Sequence, residues 1–75
     1  MKIGLLPPFP DWWSLLTPDE RRVVQLVTEG LTNREIAEEL NVTADVIKDR
    51  MLLIFLKANC TSRLELAVLA MRARD

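Results

Sequence analysis

The chain has 75 residues, of which 49% are hydrophobic, and its ten basic and eleven acidic residues give a formal net charge of −1 at pH 7. This length predicts a single domain, and the charge balance lacks the basic excess that nucleic-acid-binding proteins usually carry. The chain has no histidine, one cysteine (Cys60), no glycine-rich phosphate loop, no signal peptide and no apolar run of membrane-spanning length. The sequence therefore predicts a cytoplasmic protein that is not an enzyme and that has no metal, cofactor, internal disulfide or membrane contact.

The first fifteen residues are expected to form a short extended arm, 1–15, ahead of a folded domain, 16–75. Prolines at positions 7, 8 and 10 disfavour a helix there, because proline fixes φ and has no N–H to donate. Trp12 and Trp13 follow beside leucines. They are expected either to pack over the core or to anchor a partner.

Three predicted helix starts carry the same signature, a hydroxyl residue followed three positions later by glutamate. The pairs are Thr17 and Glu20, Thr32 and Glu35, and Ser62 and Glu65. In such a capping box the hydroxyl accepts from a backbone N–H of the helix, while the glutamate accepts from the N–H of the cap residue. The sequence therefore predicts an all-α chain.

The apolar periodicity predicts four helices. Their expected ranges are 18–29, 33–40, 44–58 and from residue 63 onwards. Gly30 is expected to end the first helix. The fourth is apolar almost all round, so part of it is expected to contact another chain.

The second and third helices are joined by only three residues, 41–43, and Ala37 lets the two backbones approach closely. This spacing is typical of a helix-turn-helix, whose second helix enters the major groove of DNA. An ordinary helical hairpin has the same spacing, so the pattern alone leaves both interpretations open.

Residues 16–67 resemble the LuxR/GerE-type helix-turn-helix domain along their whole length. The family's opening pattern of "LT", "E", "V", "LV" and "G" falls on residues 16–30, its "N.EIA..L" on 33–40, its "VK" on 47–48 and its closing "SR.ELA" on 62–67. The resemblance implies four helices, the third in the major groove of DNA, and dimerisation often through the fourth. Such domains usually follow a receiver or ligand-sensing domain, and the short arm predicts a stand-alone member.

The third helix departs from the family pattern. Val46 and Arg50 stand where the family usually has a phosphate-contacting threonine and a histidine, and Asp49 and Leu52 stand at positions that commonly meet bases. At about 100° per residue, this helix has an inward stripe and an outer face. The stripe is Ile47, Met51, Ile54 and Ala58, and the outer face is centred on Asp45, Asp49, Leu52 and Leu56.

The resemblance and this helical face together give the candidate DNA-binding residues. They are Thr32, Asn33, Arg34, Thr43, Lys48, Asp49, Arg50, Leu52, Lys57 and Arg63. The five cations among them are expected to contact phosphates, whereas the carboxylates on the outer face are repelled by phosphates.

The leucines of the third helix favour a second interpretation, docking of a protein partner against an apolar patch with Phe55 at its edge. The candidate partner and dimer contacts are Leu52, Leu53, Leu56, Leu66, Leu69 and Ala70. A third possibility is that the arm folds over the leucines with Trp12 and Trp13. The sequence thus predicts a small LuxR-type transcriptional regulator that binds double-stranded DNA as a homodimer, with a protein-interaction module on the same scaffold as the alternative.

Overall fold

A computed structural model describes residues 12–73 of the chain. They form a 3-10 helix, Trp12–Leu15, and four α-helices, without any strand in this range. The α-helices are α1 (Pro18–Thr28), α2 (Asn33–Leu40), α3 (Ala44–Ala58) and α4 (Arg63–Ala73). The predicted all-α, four-helix fold is confirmed, and α1 ends one residue before the predicted end.

The predicted arm is only partly described. Its segment 1–11, with the three prolines, lies outside the described residues, and the division of the chain after residue 15 stays a prediction. Trp12–Leu15 forms a turn of 3-10 helix where extended chain was expected. Trp12 and Trp13 are half-buried against the core, as one of the two predictions for them required.

The first two capping boxes form as predicted. The Thr17 hydroxyl accepts from the Glu20 N–H at 3.1 Å, and Glu20 Oε1 accepts from the Thr17 N–H at 2.8 Å. Thr32 and Glu35 make the same pair of bonds at 3.2 and 2.8 Å. Because each box satisfies two backbone N–H groups at a helix start, it fixes where α1 and α2 begin.

The predicted third box is wrong in one half. The Ser62 hydroxyl accepts from the Glu65 N–H at 3.0 Å, but Glu65 Oε1 accepts from the N–H of Thr61 at 3.2 Å rather than from that of Ser62. The carboxylate thus reaches one residue further back and ties the loop before α4 to its first turn.

Asparagines close α2 and α3. Asn41 has φ +59° and Asn59 has φ +54°, both left-handed, a conformation that asparagine tolerates better than most residues. After Asn41, the Val42 N–H donates to the Ala37 carbonyl at 2.9 Å. This sharp turn sets α3 against α2 in the helix-turn-helix arrangement.

The core lies between two helix pairs, α1 with α4 and α2 with α3. Its largest fully buried side chains are Ile36, Ile47, Ile54, Leu66, Val23 and Val24. Ala37 of α2 is also buried, with 4% of its surface exposed. None of the described helices combines the length and apolar character that a membrane span requires.

Candidate nucleic-acid interface

The outer face of α3 is open to solvent. Asp45 and Asp49 are exposed, Leu52 is 57% exposed and Leu56 is 76% exposed. The four residues of the predicted inward stripe are all buried, so α3 has the rotation that its periodicity predicted. The helix therefore presents carboxylates along its first half and leucines along its second half.

The polar candidates at the helix starts take part in capping. Thr32 caps α2, and Thr43 caps α3 by accepting from the Val46 N–H at 3.3 Å. A hydroxyl that accepts one hydrogen bond still has its own proton to donate. Both threonines are exposed and can therefore donate to a phosphate.

The five candidate cations fall into two groups. Arg34 and Lys48 are exposed, Arg50 is half-buried, and none of the three forms an ion pair with another described residue. Lys57 and Arg63 instead have intramolecular partners. Two of the five predicted phosphate contacts are therefore held by other parts of the domain.

Lys57 joins α3 to α1 through an ion pair. Its Nζ lies 2.7 Å from Glu20 Oε1, and the Glu20 side chain is only 8% exposed. Burial alone raises the pKa of the Glu20 carboxyl, but the hydrogen bonds from Lys57 and Thr17 and the charge of Lys57 hold the pKa below its ordinary value. Glu20 is thus ionised at neutral pH and serves a capping box and an ion pair together.

Arg63 joins the start of α4 to the start of α2. Its Nη1 donates to Asn33 Oδ1 and its Nη2 donates to the Leu31 carbonyl, both at 2.7 Å. Because the guanidinium is planar with fixed donor directions, one side chain can hold both acceptors. The side chains of Arg63 and Asn33, two of the predicted DNA contacts, are therefore hydrogen-bonded to each other.

An apolar groove lies along the second half of α3 and the loop that follows it. Its volume is about 600 Å³, and its lining is Leu52, Phe55, Leu56, Asn59, Cys60 and Thr61. Burial, and secondarily the charge of Glu65, raises the pKa of the Cys60 thiol, so it stays protonated and packs as a small apolar group. We call this feature the α3 groove.

The two tryptophans do not cover the α3 groove. Their rings lie edge to face with centroids 5.7 Å apart, and both pack against the core. Leu52 and Leu56 remain exposed. The tryptophan part of the predicted cover is therefore wrong, while the rest of the predicted arm, 1–11, lies outside the described residues.

The surface of α4 differs from the predicted dimer face. Leu66 and Ala70 are fully buried within the protomer, chiefly where α4 packs on α1, so their prediction as dimer contacts is wrong. Leu69 is half-buried. The exposed apolar residues of α4 are Leu64, Val68 and Met71, at 76%, 40% and 59% exposure. Their spacing places them in one stripe along the helix.

Residues 14–70 match the model of the GerE family, described as bacterial regulatory proteins of the luxR family. The chain belongs to this family. The resemblance seen in the sequence is thereby confirmed over most of the described structure.

Individual relatives are regulatory proteins by name. A putative HTH-type transcriptional regulator of Mycobacterium bovis is 41% identical over 54 residues, which are 72% of this chain and 6% of that protein. The HTH-type transcriptional regulator AlkS of Ectopseudomonas oleovorans is 39% identical over 59 residues, 79% of this chain and 7% of that protein. The nitrate/nitrite response regulator protein NarL of Escherichia coli is 38% identical over 53 residues, 71% of this chain and 24% of that protein. The chain thus spans between about a twentieth and a quarter of these relatives.

The LuxR-family scaffold here carries an outer α3 face with few cations. Lys48 lies beside that face, whereas Asp45, Asp49, Leu52 and Leu56 occupy its centre. Carboxylates oppose approach to phosphates, and leucines offer no hydrogen bond to base edges. Any DNA contact by this face therefore depends on a small number of flanking charges.

Proposed function

We propose that this LuxR-family domain acts as a small transcriptional regulator that binds double-stranded DNA through α3 and dimerises through α4. The observation that carries the proposal is the placement of α3. Its inner stripe is buried against α2 by the turn at Asn41, while its outer face and the cap threonines Thr32 and Thr43 are exposed. A helix held in this way can enter a major groove.

The free cations set the strength of this binding. Arg34, Lys48 and Arg50 offer three phosphate contacts per protomer. Since each contact adds roughly −0.9 to the slope of log affinity against log salt concentration, we expect a slope of about −3 per protomer.

A titration of mixed-sequence duplex DNA tests the proposal. The full chain should bind at ~50 mM salt, and its affinity should fall with rising salt along that slope. Absence of binding at ~50 mM salt overturns the proposal of DNA binding.

Substitution of Lys48 by alanine is expected to weaken binding to every DNA sequence alike, by about tenfold at low salt, because it removes a phosphate contact and no base contact. The slope should become shallower by about one unit. Fluorescence anisotropy with two unrelated duplexes measures both effects. Arg22→Ala removes an equal charge from the exposed surface of α1 and should change neither; equal effects of the two variants contradict the assignment.

The α4 stripe is the proposed dimer contact. Replacing Leu64 and Val68 by glutamate should weaken self-association at least tenfold, because charges then face an apolar surface of the partner. Sedimentation velocity over a concentration series measures the change. Leu15→Glu, at an exposed leucine of the 3-10 helix, is the control and should leave the dimer intact. A dimer that survives both α4 charges places the interface elsewhere.

The α3 groove favours a second candidate function, binding of a protein surface in place of DNA. Exposed leucines beside carboxylates suit an apolar protein segment better than a phosphate backbone. Replacing Leu52 and Leu56 by lysine should then abolish capture of that protein while the helical content stays unchanged. A gain in DNA affinity in the same variant favours the first candidate.

A further inference from the structure

We infer that the α3 groove is a docking site for residues 1–11 of the same chain. This segment lies outside the described residues, and its sequence is MKIGLLPPFPD. The chemistry of the groove, the point where the described chain begins, and the length and composition of the segment all support this occupant.

The groove offers apolar walls and little to bind a polar ligand. Leu52, Phe55 and Leu56 supply the aliphatic and aromatic surface, and the Cys60 thiol in its lining is protonated. An open apolar surface of this kind in a small domain marks a site for another apolar segment.

The described chain begins beside α3. The 3-10 helix Trp12–Leu15 packs on α3, and Arg21 Nε donates to the Trp13 carbonyl at 3.2 Å. Residue 12, to which the segment is joined, therefore lies in an element that packs on the helix that carries the groove.

The segment has the composition of a groove ligand. Ile3, Leu5, Leu6 and Phe9 are apolar, and three prolines remove N–H groups that would otherwise be buried without a partner. Lys2 complements the carboxylates of Asp45 and Asp49 on the outer face.

The reach of the segment is sufficient. Eleven residues in a polyproline conformation span about 34 Å, whereas a helix of the length of α3 spans about 22 Å. A short tether also gives the segment an effective concentration on the order of millimolar, above that of a second copy at micromolar protein. An intramolecular occupant is favoured on this ground.

Docking has a consequence for DNA binding, and this consequence alone rests on the proposed function. Leu52 and Asp49 belong to the face of α3 that would enter the major groove. A segment lying on Leu52 and Leu56 blocks that approach. Residues 1–11 would then lower the DNA affinity of the full chain by competing for the same helix.

Disulfide trapping in the full chain tests the docking. The variant Gly4→Cys/Thr61→Cys, in a Cys60→Ala background, keeps every apolar residue of the segment and retains Leu52, Phe55 and Leu56 in the groove. Under mild oxidation it should form an intramolecular disulfide at least tenfold faster than Gly4→Cys/Arg22→Cys in the same background. Arg22 is exposed on α1 and follows Arg21, which contacts Trp13 near the start of the described chain, so an undirected tether would reach it at least as readily. Circular dichroism first selects variants with wild-type helicity, and Cys60→Ser replaces Cys60→Ala if the latter loses it.

The outcomes separate the possible occupants. Equal trapping rates overturn the docking and leave the α3 groove to a separate protein, and disulfide-linked dimers as the main product assign it to a second copy. Deletion of residues 1–11 should raise DNA affinity about fivefold at low salt; an unchanged affinity overturns the competition. If neither form binds DNA, the proposed function fails while the trapping result still decides the docking.

Discussion

The double substitution Asp49→Asn and Leu52→Lys is expected to raise the affinity of the chain for mixed-sequence duplex DNA by roughly 30-fold at ~50 mM salt. Asp49 lies at the centre of the exposed α3 face, where its carboxylate is repelled by phosphates. Leu52 is 57% exposed, so a lysine there can reach solvent without disturbing the core. An added phosphate contact contributes about tenfold at this salt, and removal of the repelled charge contributes the remainder.

The salt dependence distinguishes a new contact from a general change of charge. With one more phosphate contact, the slope of log affinity against log salt should steepen from about −3 to about −4 per protomer. Glu29→Gln with Leu15→Lys changes the net charge equally at exposed positions outside α2 and α3, and should alter affinity far less. If this control raises the DNA affinity as much as the α3 variant does, the effect depends on net charge and not on where the charge lies. In that case α3 is not the DNA-contacting helix.

The same variant must be measured in a chain that lacks residues 1–11. Leu52→Lys removes part of the α3 groove, so in the full chain it would also release a docked segment and raise affinity for that reason. In the truncated chain only the direct contact with DNA remains. A steeper slope in both chains therefore assigns the effect to α3 and DNA.

The helices could be predicted because their signals are local. The boxes of Thr17 with Glu20 and of Thr32 with Glu35 each lie within four residues, and the bonds they predict are present. The inward stripe of α3 follows from helical periodicity, and Ile47 and Ile54 are fully buried. The family resemblance then connected these local elements into one known arrangement.

The partners of Lys57 and Arg63 could not be predicted in this way. Glu20 is 37 residues from Lys57, and Asn33 is 30 residues from Arg63. These pairs exist only after α1, α2 and the ends of α3 and α4 have packed. From the sequence alone, both cations were therefore candidate phosphate contacts.

The buried face of α4 could not be predicted from the sequence either. Apolar residues surround this helix, so its periodicity does not distinguish Leu66 and Ala70, which are buried, from Leu64 and Val68, which are exposed. Packing against α1 decides the rotation. A pattern that is apolar on every side predicts contact but not its direction.

Replacing Lys57 by methionine is expected to lower the free energy of unfolding at pH 7 by about 2 kcal/mol, because the buried Glu20 carboxylate loses its charged partner. Methionine keeps the aliphatic volume of lysine. Lys48→Met removes a charge that has no ion-pair partner among residues 12–73, and should change the stability by less than about 0.5 kcal/mol. Urea unfolding followed by circular dichroism measures both values.

The pH dependence identifies Glu20 as the cause. In the wild type its lowered pKa contributes stability that is present above the pKa of the unfolded chain, near the ordinary 4.5, and is lost as pH falls through the lower folded value. A protonated Glu20 has no charge to pair with Lys57. The difference in free energy of unfolding between the wild type and Lys57→Met should therefore decrease as pH falls below about 4.5. Glu20→Gln combined with Lys57→Met should recover part of the loss, since a neutral amide can accept from the Thr17 N–H without a cation beside it. The contrary outcome is a difference in free energy of unfolding between the wild type and Lys57→Met that stays constant, within the error of the unfolding curves, from pH 7 to pH 3. That result would mean that Lys57 stabilises the domain by packing and not by its ion pair.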